Sequence, residues 1–175
     1  MHVPGPPKKI KNLQLFDRKI KQIQFDFNYE LFDRFDFKLA YKINQVYSTF
    51  DGVKMLAPLV PENRALVNFA YSTTHLNKWM FDATCNYIGE SRIPYHPLIV
   101  DNKMVSDPFY VINSQVTKKF KTYDVYIGGE NLLNYKQENP ILAGDDPFGS
   151  NFDASIIWAP VMGRLIYTGI RLKIN

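Results

Sequence analysis

The chain has 175 residues, a net charge of +4, 46% apolar and 22% charged residues, a balance that excludes disorder and suits one domain rather than two. Its single cysteine excludes an intrachain disulfide framework and a cysteine-rich zinc site. The unusual figure is the aromatic share of 15%, from 13 Phe, 11 Tyr and 2 Trp; such residues suit pleated strands and also form the interfacial girdles of membrane barrels.

The positive charge is scattered. Lys8, Lys9 and Lys11 lie near the start and Lys118, Lys119 and Lys121 surround a turn, whereas a nucleic-acid reader concentrates charge on one element; no nucleic-acid partner is expected. No apolar run reaches the length of a transmembrane helix, which says nothing of a barrel. The opening MHVPGPPKKIKNLQL lacks the apolar core and cleavage site of a signal peptide, and residues 1–20 read as a basic, Pro-rich leader before a domain over 21–175.

From Ile20 onward the pattern is period two. Ile23, Phe25, Phe27, Tyr29 and Leu31 share a face opposite Gln24, Asp26, Asn28 and Glu30. After Asp33 and Arg34 the alternation resumes with Phe35, Phe37, Leu39, Tyr41 and Ile43, so the two strands form a hairpin. Residues 45–64, with Asp51-Gly52 and prolines 58 and 61, read as a long loop. A second hairpin follows: Ala65, Val67, Phe69 and Tyr71, a short break near His75, then Trp79, Phe81, Ala83, Cys85 and Tyr87. A second long connection runs from Gly89 to Pro108. Tyr110, Ile112, Ser114 and Val116 then turn near Phe120 into Tyr123, Val125 and Ile127. A third long loop spans about 134–160, and Ile166, Thr168, Ile170, Leu172 and Ile174 mark the last strand, with Arg171 and Lys173 on its other face.

Seven strands are thus predicted, with short and long connections in strict alternation. The fold class is all-β: an antiparallel up-and-down meander forming part of a transmembrane β-barrel, long loops on one side and short turns on the other. Phe25, Phe27, Phe37, Leu39, Phe69, Trp79, Phe81, Ile112, Val125, Ile127 and Ile170 are expected to face lipid. The opposite face, with Asp26, Glu30, Asp36, Lys38, Lys42, Asp82, Asp124 and Arg171, needs water or partners. A soluble sandwich also alternates, so the rival expectation is a small soluble barrel or sandwich that holds an apolar ligand; a separate alternative is a small barrel that closes on its own around a filled interior, with Ile10 to Phe16 as an eighth strand.

Several segments together carry a family resemblance: GGENLLNY (128–135), KQENPI (136–141), DDPFG (145–149), FDAS (152–155) and WAPVMGRLIYTGIRLKI (158–174). LAYKINQVYSTFDG (39–52), ENRALVNFAYST (62–73), KWMFDAT (78–84) and ESRIP (90–94) precede them. In this order they resemble the end of the barrel of TonB-dependent outer-membrane receptors. The resemblance implies a barrel of about 22 strands, a plug, and uptake of a scarce solute such as an iron chelate, metal complex, cobalamin or glycan. It implies outer-membrane lipid, the TonB system and the barrel-assembly machinery as partners, location in the outer membrane, and no cofactor. Seven strands would then be a C-terminal portion, not functional alone. Gly129, Glu130, Asn131 and Asn134 would organise the last loop. Arg164, Tyr167, Gly169, Leu172 and Ile174 would form the terminal strand read during assembly, although members of the family usually end on an aromatic residue and this chain ends Ile174-Asn175.

No nucleophile triad, P-loop or dinucleotide fingerprint is present, and no enzyme is expected. Glu130 with Asn131 is read as structural rather than chemical. Asp145 and Asp146 could ligate calcium but read as a solvated turn. His2, His75 and His96 are too dispersed for a shared metal site, and Cys85 reads as a small hydrophobe.

Overall fold

The computed structural model describes residues 18–50, 52–74, 77–99 and 105–174. Within them the alternating segments form eight strands: β1 (Arg18–Phe32), β2 (Phe35–Phe50), β3 (Val53–Leu56), β4 (Asn63–Ser72), β5 (Trp79–Ile88), β6 (Phe109–Lys119), β7 (Tyr123–Glu130) and β8 (Leu165–Leu172). They make one antiparallel up-and-down sheet of order β1-β2-β4-β5-β6-β7-β8, with β3 added to β2. β1 and β8 stand at opposite ends of this order, so the sheet is open. Residues 1–17 of the leader, including the candidate strand Ile10 to Phe16 and His2, and also His75 and Asn175, lie outside the described residues. β1 begins at Arg18, within the stretch assigned from sequence to the leader.

The long loop expected over 45–64 is corrected. β2 continues to Phe50, and β3 folds back on it with Phe50 opposite Val53 and Tyr47 opposite Leu56. Val46, Tyr47 and Thr49 suit a pleated strand, and Gly52 at φ 79° supplies the left-handed residue that a two-residue hairpin turn requires. The Asp-Gly pair is therefore a hairpin signal here, not a break in the sheet. β3 and β4 occupy successive stretches of the same edge of β2.

Cross-strand register extends the local alternation across the whole sheet. Tyr41, Ala65, Tyr87 and Tyr110 are successive partners, as are Leu39, Val67, Cys85 and Ile112, and Phe35, Tyr71, Phe81, Val116, Ile127 and Thr168. All eleven residues expected to face lipid lie on this one face. Many remain open to the surroundings: Phe25 is 58% exposed, Ile127 56% and Ile170 67%. No large side chain among the described residues is fully buried, so no second layer covers the apolar face. The other face aligns Asn28, Lys38, Asn68, Thr84 and Asn113, and beside them Glu30, Asp36, Ala70, Asp82, Gln115, Gly128 and Tyr167. Its polar groups bond to one another: Asn68 Nδ2 donates to Thr84 Oγ1 at 2.8 Å, and Tyr167 Oη donates to Gln115 Oε1 at 3.1 Å.

The last two strands interlock through close contacts. Gly128 pairs with Tyr167 and Tyr126 with Gly169; each tyrosine ring lies where a Cβ on the opposing glycine would be. The two rings meet edge to face at 6.3 Å. Asp124, buried on the same face, pairs with Lys173 at 2.7 Å, and Lys173 Nζ also donates to the Phe120 carbonyl at 2.8 Å. This ties β8 to the short turn. Truncation of Lys173 leaves a buried carboxylate without its cation, so Lys173→Met is expected to cost about 2 kcal/mol in urea unfolding, with Lys173→Arg close to the parent.

Candidate functional site

Antiparallel alternation puts the connections β2–β4, β5–β6 and β7–β8 at one end of the sheet, where they pack into the best-buried part of the chain. Val46, Ala57, Ile93, Phe109, Ile156 and Ala159 form its apolar centre. The Phe109 ring stacks on Tyr135 at 4.8 Å and 3° and approaches Trp158 at 6.1 Å. Backbone bonds link the connections: Ala57 N donates to Val46 O at 2.7 Å, Leu59 N to Arg92 O at 2.8 Å, and Ser106 N to Ser91 O at 2.9 Å.

Segments without regular structure must satisfy their backbone groups by other means, and two side-chain amides do so here. Asn131, at φ 49°, accepts from Tyr135 N at 3.0 Å through Oδ1 and donates from Nδ2 to Tyr135 O at 2.7 Å and Met162 O at 3.3 Å. Gln137 donates to Ile156 O at 2.8 Å and accepts from Trp158 N at 2.8 Å and Ala159 N at 3.2 Å. Together they fasten the start of the last connection to its return. Asn134 adds a third tie, its Oδ1 accepting from Arg164 N at 3.0 Å.

The site residues expected from sequence therefore divide. Asn131 and Asn134 organise the loop, and Gly129 fits because a Cβ there would strike Leu132 at 2.6 Å and Ile166 at 2.9 Å. Glu130 ends β7 on the polar face and lines a shallow depression with Gln115, Tyr126, Tyr167 and Arg171, apart from these loop bonds. Arg164 enters the loop tie through its backbone; Tyr167 and Gly169 belong to the interlock of β7 and β8; Leu172 and Ile174 are exposed at the end of the chain, at 71% and 93%. Gln137, Phe109 and Trp158 are central here yet carry no distinguishing sequence signal beyond the aromatic content of the flanking segments.

Between the second and third long connections lies a cavity of about 600 Å³, lined by Ile93, Tyr135, Ile156 and Trp158 with Lys136 and Glu138 among its polar groups. Its lining mixes apolar and aromatic side chains with Ser106, Asp107, Gln137 and Asn139. Asp145 and Asp146 are exposed within a series of turns, in which the backbone carbonyl of Asp146 accepts from Gly149 N at 3.0 Å. Among the described residues no group of His, Cys, Asp and Glu side chains is placed to hold a metal ion. His96 Nδ1 accepts from Leu98 N at 3.2 Å.

Asp153 is held below its ordinary value, first by the backbone N–H of Ser155 at 2.7 Å, then by the Ser155 hydroxyl, with a smaller pull from His96. A depressed carboxyl contributes stability above its unfolded value, lost as pH falls through the folded one.

No protein family, curated protein or solved structure matches this chain. The geometry defines an open antiparallel sheet with one apolar and one polar face, crowned at one end by three interlocked connections.

Asn131→Asp keeps the bond from Tyr135 N but loses both donated bonds. It is expected to speed amide exchange over 131–163 and cost about 1–3 kcal/mol locally, with Asn131→Ala at the upper end. Amide protection at the Leu142–Asp153 bridge should fall as pH drops below about 4, and Asp153→Asn should remove that pH dependence.

Proposed function

We propose that the chain is a portion of the wall and outer loops of a TonB-dependent outer-membrane receptor, taking up a scarce solute such as an iron chelate, metal complex, cobalamin or glycan. One observation carries this reading: an apolar face continuous across seven strands of one sheet, uncovered by a second layer, opposite a charged face. In water such a face carries the whole cost of apolar hydration, at about 25 cal/mol per Å². Against lipid that cost disappears, and the charged face turns to a wet lumen.

Three further features support it. β4 and β5 have 10 residues each and β6 has 11, lengths that cross a bilayer as tilted strands. Aromatic rings gather at both ends of the apolar face. Near the short turns, Phe35, Tyr71, Phe81 and Trp79 follow one another at 6.2–6.3 Å, and near the long connections Tyr87 meets Tyr110 at 5.1 Å. From Phe35 to Tyr41 along β2 the two belts are about 20 Å apart. Finally, an odd number of strands on the path leaves both outer edges running in the same direction, so an even-stranded antiparallel barrel is completed by an odd number of further strands. The loop cavity and the polar face are the surfaces that would meet solute. The rival apolar-ligand barrel finds no support in the described strands, which enclose no interior.

The two tryptophans provide the test, since Trp79 lies on the apolar face and Trp158 in the loop cluster. In neutral vesicles with brominated acyl chains, Trp158→Phe, which retains Trp79, should be strongly quenched and Trp79→Phe should not. Equal quenching, or a monodisperse monomer in water without detergent, would sink the proposal. Ile112→Arg on the apolar face should cost about 2–4 kcal/mol in bilayers, while Asn86→Arg on the opposite face should stay within about 0.5 kcal/mol of the parent.

A further inference from the structure

The short-turn end of the sheet carries a feature that strand pairing and the loop cluster do not use. Across the apolar face, Trp79, Lys118, Val125 and Ile170 are successive register partners, so one ammonium interrupts a row of apolar groups. Lys118 Nζ lies 4.5 Å from the centre of the Trp79 ring and 5.9 Å from that of Phe120, and donates to Asn77 O at 2.8 Å. An ammonium has three N–H donors, and the Asn77 carbonyl engages one. A lysine in such a row meets its solvation demand by extending its head toward the membrane surface, with its stem along the apolar groups.

The adjoining turns carry Lys78 and Lys121 beside Lys118, while Lys119, Arg171 and Lys173 alternate onto the opposite face with Asp124.

We propose that the rim formed by Trp79, Lys118 and Phe120 is a binding site for the phosphate of an anionic phospholipid headgroup, with Lys118 donating to the phosphate and the two rings flanking it. The site rests on the reading of this face as lipid-facing. Its chemistry is a phosphodiester presented at an apolar boundary: Lys118 and the turn lysines Lys78 and Lys121 raise the local concentration of anionic lipid, and the rings confine the headgroup to the rim rather than to open water.

The test uses the full chain carrying Trp158→Phe, folded in a nonionic detergent, with Trp79 emission as the readout. Short-chain phosphatidylglycerol should bind saturably and more tightly than short-chain phosphatidylcholine. Lys118→Gln should weaken phosphatidylglycerol binding by about fivefold, Lys118→Arg should retain it, and both should keep the parent's heat-dependent gel mobility. Inorganic phosphate at the same concentration should not compete. Unchanged affinity in Lys118→Gln, equal binding of the two lipids, or competition by inorganic phosphate would each overturn the headgroup site. Any of these, with acyl-chain quenching of Trp79 intact in neutral vesicles, removes this site and leaves the receptor reading standing; loss of that quenching removes both.

Discussion

The constraint on which this structure depends is register. In a strand, side chains alternate between faces, and a slip of one residue moves every apolar group to the other side. Here pairing holds the same parity from Phe25 on β1 to Ile170 on β8, so the short apolar stripes of individual strands join into one surface. Among the described residues no second layer covers that surface. The separation of charge onto the other face follows from this parity.

The two ends of the sheet manage the backbone differently. At the short-turn end, tight hairpins satisfy most groups, and positive φ is confined to positions such as Arg34, at 65°, whose N–H donates to Glu30 Oε1 at 2.9 Å. At the other end, long connections leave many N–H and C=O groups outside the ladder. Asn131 and Gln137 answer that need because an amide side chain both donates and accepts, and so substitutes for a strand partner on either side. The apolar cluster around Phe109 then excludes water from these bonds, and most of the buried residues among those described lie in the connections or at the strand ends beside them.

The strands, their order and the side of each connection were legible in the sequence, because period-two alternation is local and short turns force antiparallel neighbours. The apolar face was legible for the same reason. The extension of β2 and the β3 hairpin were not, since Asp51-Gly52 marks both a loop and a hairpin turn and only pairing of Phe50 with Val53 distinguishes them. Asn131 stood out as a residue at a strand end, but its hydrogen bond to Met162 joins positions distant along the chain.

By itself, then, the sequence determined which residues share a face and where the chain turns, because those follow from the geometry of one strand and its nearest neighbour. Only the tertiary structure decided that the sheet stays open, that its apolar face meets no second layer, that Gln137 rather than Glu130 fastens the last connection, and that Lys118 sits over Trp79. Each depends on groups brought together from separate strands or connections, and no local pattern records such a meeting.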